Sequence, residues 1–126
     1  MGDENPISKE IIGAAIEVHR QLGPGLLESA YEECMAHEFT LRGIQFERQK
    51  PLPVVYKGIK LDCGYRLDFL VAQSVIVELK AVEKLMPIHD AQTITYLKLT
   101  KCKLGLILNF NVRLMRTGIK RVVLNL

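Results

Sequence analysis

Apolar positions first recur at helical spacing and then, past Gly43, with a period of two. From about Ser8 to Gln21, the residues Ile11, Ile12, Ala15, Ile16, His19 and Leu22 predict an amphipathic helix with Glu10, Glu17 and Arg20 outside. The run Leu22-Gly23-Pro24-Gly25 stops it. A second helix is predicted from about Leu26 to Leu41, with Leu27, Tyr31, Cys34, Met35 and Phe39 as its apolar stripe and Gly43 suited to a left-handed cap. Ile44 to Arg48 then alternates as a half-exposed strand, and Leu52 to Tyr56 reads as a second, marked as an edge by Pro53. Lys57-Gly58 predicts a tight turn into Ile59-Lys60-Leu61.

The next stretch organises the chain. Tyr65 to Val71 and Val75 to Val82 are two apolar runs of strand length separated by Ala72-Gln73-Ser74, which predicts a β-hairpin buried on at least one face. Alternation puts Glu78 and Lys80 on one side, with Val77, Leu79 and Ala81 on the other. On the partner strand, Asp68 shares a side with Arg66 and Leu70, leaving Leu67, Phe69 and Val71 opposite. If the charged sides coincide, two carboxylates and an ammonium converge in apolar surroundings. Burying such charges is costly unless they pair or hold a cation.

Pro87 is suited to open a helix reaching about Thr100, with Ile88, Ala91, Ile94 and Thr95, and Leu97 or Leu99, facing inward. Gln92 and Tyr96 lie on one face of it. Leu104 to Leu108 reads as a strand buried on both faces, and Arg121 to Leu126 as the last strand. The order describes an α/β or α+β domain. A helical connection makes the strand at Leu104–Leu108 parallel to the hairpin strand before it, so a mixed sheet is expected.

The chain has 126 residues, of which 48% are hydrophobic, enough for one domain with its own core spanning 1–126 and too few for two. Its longest apolar runs are strand-sized, its amino terminus is acidic and lacks a hydrophobic signal region, and a cytoplasmic location is expected. Cys34, Cys63 and Cys102 are widely spaced and are expected to be reduced and partly buried. His19, His37 and His89 lie far apart, as helix-surface or interface histidines rather than metal ligands. Net charge is only +3, but all 14 acids fall in residues 1–90 beside 10 basic residues, while 91–126 holds 7 basic residues and no acid. Lys98, Lys101, Lys103, Arg113, Arg116, Lys120 and Arg121 therefore suggest a surface for nucleic acid. The alternative is that they only solubilise turns and a sheet edge.

An acid on one strand and Glu-x-Lys on its neighbour form a device for hydrolysing a phosphodiester. Asp68 and Glu78 would bind a hard divalent cation through oxygen, Mg²⁺ above all with Mn²⁺ as a substitute. Such a cation polarises the phosphoryl oxygen and lowers the pKa of water. Lys80 would orient that water or offset charge on the phosphate, and Gln92 and Tyr96 would add neutral hydrogen bonds. Taken singly, each of these residues is as well explained by a salt bridge on a solvated face or by ordinary helix packing.

The combination resembles a known family. Gly25-Leu26-Leu27-Glu28-Ser29-Ala30-Tyr31 is similar to the Gly-x-x-Glu-x-x-Tyr signature of the GxxExxY protein family. The likeness continues through Tyr65-Arg66-Leu67-Asp68, Val77-Glu78-Leu79-Lys80, Ala91-Gln92, Tyr96-Leu97, Gly105-Leu106, Asn109-Phe110-Asn111 and Gly118-Ile119-Lys120-Arg121. That family looks like a branch of the PD-(D/E)XK nucleases, with a restriction-endonuclease-like core in which helices flank a mixed central β-sheet. The resemblance implies Asp68 and Glu78 as metal ligands, Lys80 as the catalytic lysine and Glu28 as a further acid directed at the metal. Gln92-x-x-x-Tyr96 resembles the helical motif of RecB-like nucleases, and Tyr31 is expected to pack or accept a hydrogen bond. The proline of the superfamily name is replaced by Leu67.

Three functions follow. The first is a magnesium-dependent nuclease acting on DNA. The second is a nucleic-acid-binding module with a nuclease fold that is inactive or needs a partner, so short a chain suggesting a homodimer or a helper protein. The third is a buried ion-pair cluster of Asp68, Glu78 and Lys80 with no ligand.

Overall fold

The computed structural model describes residues 4–124. Helices α1 (Glu4–Leu22) and α2 (Glu28–Leu41) precede strands β1 (Phe46–Pro51), β2 (Val54–Tyr56), β3 (Ile59–Leu61), β4 (Arg66–Val71) and β5 (Val75–Lys80). Then come α3 (Pro87–Thr100), β6 (Leu104–Asn109), a short 3-10 turn (Met115–Gly118) and β7 (Ile119–Val123). Five strands form one sheet in the order β1-β4-β5-β6-β7, while β2 and β3 pair with each other in a separate hairpin. Strands β5 and β6 run parallel, as the α3 crossover requires, and all other neighbours are antiparallel. The fold is α+β, with the mixed sheet that the element order predicts.

Helices cover both faces of the sheet. On one, Ile11 and Ala15 of α1 and Tyr31, Met35 and Phe39 of α2 pack against Phe69, Val77, Leu79 and Leu106. On the other, Tyr96 and Leu97 of α3 pack against Leu70, Ile76 and Ile107. With both faces covered, every residue of β6 is buried. Phe39, Phe46 and Phe69 meet at centroid distances of 5.2 to 5.6 Å, in tilted and edge-on geometries. That burial anchors β1 and β4, contributing about 2 kcal/mol for each fully buried ring.

The structure corrects several expectations. In α1 the buried stripe takes in Ala14 and Val18, while Ile16 and Leu22 are exposed. Helix α2 begins only at Glu28, because Leu27 is extended, and Leu27 is 77% exposed rather than part of the stripe. In α3, Ile88, Ala91 and Thr95 face solvent, and Thr93, Tyr96 and Leu97 face inward. Gly105 explains that rotation: a β-carbon there would lie 2.8 Å from Thr93 Cγ2, so its absence lets the Thr93 side of α3 approach the sheet.

Strand β1 is displaced towards Pro51, and Leu52 is a buried residue between strands. Strand β5 ends at Lys80, two residues early, and β7 begins at Ile119, two residues early. Asn125 and Leu126, predicted to end the last strand, lie outside the described residues. Cys63 is exposed, whereas Cys34 and Cys102 are partly buried, and all three are free thiols. His19 is buried, its Nε2 2.7 Å from the Val112 carbonyl oxygen. Among the described residues no helix is long and apolar enough to cross a membrane.

Candidate active site

Strands β4 and β5 pair from Val71–Val75 to Phe69–Val77, and the regular ladder stops there. Side chains take over at the next rung. The Asp68 N–H donates to Glu78 Oε2 at 3.0 Å, and the Leu79 N–H donates to Asp68 Oδ2 at 2.8 Å. Each carboxylate thus completes the backbone of the opposite strand. The interruption also breaks the alternation of β4, so that Leu67 packs with Leu70 and Ile76 instead of with Phe69 and Val71.

On the other side of β4, the β1 register pairs Arg48 with Phe69 and Lys50 with Leu67 and passes over Gln49. Gln49 has a φ of +51°, a conformation uncommon outside glycine and asparagine. Its amide donates to Asp68 Oδ1 at 3.3 Å and to Glu32 Oε1 at 2.7 Å. Arg48 holds Glu32 and Glu33 at 2.6 and 2.8 Å. Neither Gln49 nor Glu32 was marked by the sequence, since nothing in a polar strand end announces a left-handed residue.

Glu78 is 5% exposed and Asp68 is half-buried. Burial, and then the facing Asp68 carboxylate, push Glu78 up to about 8. Burial also raises Asp68, against the Leu79 N–H bond that lowers it. Lys80 shares the Glu78 side of β5, close enough for its charge to favour ionised Asp68 and Glu78, yet among the described residues it forms no ion pair. The acids and the amine are neighbours rather than a closed salt bridge.

Glu28 comes to the site from the first turn of α2. That turn is positioned by Tyr31, whose hydroxyl donates to the Gly23 carbonyl at 2.6 Å and accepts the Leu26 N–H at 3.1 Å. The Tyr31 ring stacks on Phe110 at 4.5 Å, and the Phe110 N–H donates to the Lys80 carbonyl at 2.9 Å. The Gly-x-x-Glu-x-x-Tyr segment therefore ties the turn, the acid and the end of β5 together. Tyr31→Phe is expected to lower stability by about 1 to 2 kcal/mol in a denaturant melt, by orphaning the Leu26 N–H and the Gly23 carbonyl. Glu28 is exposed, and partial desolvation and then Asp68 raise its pKa.

The expected gathering of three acids is not found: among the described residues no three His, Cys, Asp or Glu side chains are placed to hold one metal ion. Asp68 and Glu78 are locked together through the strands, whereas Glu28 on the helix makes no hydrogen bond to either and acts on them through its charge. The pair still fits a hard dication. Both supply oxygen donors, both lie in surroundings that disfavour their charge, and no hydrogen bond from the described residues reaches Glu78 Oε1. Mg²⁺ needs only one or two carboxylates when waters and phosphate complete its shell.

Tyr96 is buried beside the pair, edge-on to Tyr65 at 6.3 Å, and its hydroxyl pKa is raised by burial and then by Glu78. Gln92 is half-buried one turn earlier and makes no hydrogen bond to either acid. Asn109, given no role by the sequence, clamps the segment after Lys80: its Oδ1 accepts the Val82 N–H at 3.1 Å and its Nδ2 donates to the Val82 carbonyl at 3.0 Å. An asparagine ending an otherwise apolar buried strand was the available signal.

The seven basic residues of the last third do not form one surface. Because Val75 pairs with Leu104 and Lys80 with Asn109, the acids lie at the carboxy ends of β5 and β6. Lys98, Lys101 and Lys103 lie towards the opposite end, Lys103 being roughly 13 Å along β6 from Ile107, the residue level with Glu78. Lys120 pairs with Asp90 at 3.1 Å, and Arg121 hydrogen bonds to Asn5 and Ser8 of α1. Arg113 and Arg116 follow β6 at the acid end of the sheet, lining a groove with Gly23 and Pro24.

A family model described as the PD-(D/E)XK nuclease superfamily matches residues 5–122. No curated protein and no solved structure matches the chain.

Proposed function

We propose that this chain, which belongs to the PD-(D/E)XK nuclease superfamily, is a metal-dependent nuclease acting on DNA. The superfamily comprises phosphodiester hydrolases that are typically magnesium-dependent. Asp68 and Glu78 are the residues that would hold Mg²⁺, or Mn²⁺ in its place, with Glu28 facing the same charge. The finer likeness to the GxxExxY family is supported by the Gly25, Glu28 and Tyr31 spacing.

One observation carries the proposal: a buried acid, Glu78, and a half-buried one, Asp68, face each other across a break in the ladder, tied to backbone N–H groups and not to the neighbouring lysine. A purely structural cluster has no need of two facing acids whose ionisation burial and mutual repulsion oppose, whereas a dication between them would offset both. When bound, the ion supplies Lewis acidity and makes hydroxide accessible near neutral pH. The Lys80 ammonium orients the attacking water and offsets charge building on the phosphate. Tyr96, and Gln92 one turn before it, donate neutral hydrogen bonds from α3. Gln49 fixes Asp68 so that the acid keeps one orientation. Arg113 and Arg116 contact the flanking phosphates, and the other five basic residues act only where a substrate wraps further round the sheet.

The test is purified protein incubated with single-stranded, duplex and branched DNA and with RNA, with Mg²⁺ or Mn²⁺ and with chelator. Cleavage of DNA that needs the metal is expected; every substrate surviving both metals overturns the proposal. A second reading, a binding module that is inactive or waits for a helper protein or second copy, is favoured by the lack, among the described residues, of a third ligand placed with Asp68 and Glu78 to hold a metal ion. Calorimetry distinguishes the two. Mn²⁺ binding that Asp68→Asn removes supports the nuclease, and nucleic-acid binding indifferent to both supports the module.

A further inference from the structure

Strands β2 and β3 form a hairpin outside the main sheet. Its pairing of Val54 with Leu61 and Tyr56 with Ile59 places these four apolar side chains on one face. That face opens to solvent towards its turn: Tyr56 is 61% exposed and Ile59 60%, while Val54 at the base is half-buried. A two-stranded hairpin with an uncovered apolar face is marginal in water by itself, which points to a partner.

Two further features say what that partner is. The hairpin joins the end of β1 to the start of β4, closed at its base where the Leu52 N–H donates to the Tyr65 carbonyl at 2.9 Å, with Arg66 and Leu67 between that closure and Asp68. The base of the hairpin is therefore fixed at the start of β4, the strand that carries Asp68. Lys57, Lys60 and Arg66 form no ion pair among the described residues, and the nearby acid Asp62 is occupied in a turn, accepting the Gly64 N–H at 3.0 Å. The Lys57 ammonium lies 5.4 Å from the centroid of the Tyr56 ring. An apolar protein partner would account for the exposed face but not for the unpaired cations beside it, Lys57 at the turn, Lys60 on the reverse face opposite Val55, and Arg66 past the base. A polyanion with flat aromatic groups accounts for both.

We propose that this hairpin is a substrate arm that holds an unpaired, single-stranded segment of nucleic acid, with Tyr56 stacked on a base, Lys57 on the adjoining phosphate and Lys60 reaching a further phosphate round the edge of the ribbon from its reverse face. An exposed ring stacks on any base that is free of its neighbours, whereas duplex bases are already stacked. The inference rests on the nuclease reading for its substrate class, and it is tested by binding rather than cleavage.

A labelled oligothymidine and a blunt duplex of equal length are titrated by fluorescence anisotropy in chelator, with wild type, Tyr56→Ala, Tyr56→Phe and the double variant Lys57→Ala/Lys60→Ala. Expected are preference for the single strand, about tenfold weaker single-strand binding for Tyr56→Ala, and retention by Tyr56→Phe. The double variant should reduce the slope of log affinity on log salt by about 1.4, at about 0.7 per phosphate contact. Unchanged binding by Tyr56→Ala overturns the arm, as does a wild type that binds neither DNA. A wild-type dimer that Tyr56→Ala converts to monomer without affecting DNA binding also overturns it, assigning the face to a second copy of the chain. Binding as expected with no cleavage under any metal leaves the arm standing and removes the nuclease instead.

Discussion

Replacing Lys80 by alanine will abolish metal-dependent cleavage while leaving the protein folded. The side chain forms no ion pair among the described residues, and its backbone is secured independently, its carbonyl accepting the Phe110 N–H. Truncation therefore breaks no ion pair; it removes a charge that favours ionised Asp68 and Glu78, which metal-free acids offset by holding a proton. The loss falls on the reaction: removing a group that stabilises developing charge costs about 10² to 10³ in rate. Single-turnover cleavage gives the rate, a thermal melt the fold, and calorimetry the metal. The expected set is no measurable cleavage, a melting temperature within about 2 °C of wild type, and Mn²⁺ binding retained. A collapse of stability by several kcal/mol would instead identify Lys80 as the counterion of a structural cluster.

Glu78→Gln will stabilise the metal-free protein at alkaline pH and remove most of its pH dependence. Glu78 titrates at about 8 in the fold against 4.5 in the unfolded chain. Between those values the folded protein holds a proton that the unfolded chain has released, so raising the pH through this window takes stability away. The loss is complete above about pH 8 and is on the order of a few kcal/mol, since each pKa unit corresponds to about 1.4 kcal/mol. Asp68, raised in the same sense, adds to it. Glutamine keeps the oxygen that accepts the Asp68 N–H and carries no charge at any pH. Melts from pH 5 to 9 in chelator should fall for wild type and stay nearly level for Glu78→Gln, with the curves converging at the acidic end. Mn²⁺ should restore the wild type at pH 8 and do nothing for the variant, because binding requires the carboxylates ionised. A wild-type curve that is flat, or a variant less stable than wild type throughout, contradicts the paired-carboxylate description.

The elements were legible where period and turn chemistry agreed. Lys57-Gly58 and Pro87 fall where the sequence places them, and the run at Leu104 is buried and parallel because β5 reaches β6 only through a helix. Faces were less legible than elements. Ile88 and Ala91 have the composition of an inward stripe, but Gly105 lets α3 come closest at Thr93, and that contact is made by a residue distant in sequence. The acid pair could be anticipated from charges set among valines and leucines. Its clasp could not, because strand alternation says which way a side chain points and not that it will replace a rung of the ladder. Gln49 shows the same limit: only the opposing Asp68 gives its left-handed backbone a purpose. The basic third misled for a related reason, since residues adjacent in sequence are carried by β6 to opposite ends of the sheet.

The amide protons of Asp68 and Leu79 are bonded to carboxylate oxygens instead of peptide carbonyls. Two backbone resonances of a nuclear magnetic resonance spectrum should therefore respond directly to the electrical state of the acids. Without labels or substrate, a spectroscopist could follow protonation, cation uptake and their exchange rates from those two signals alone.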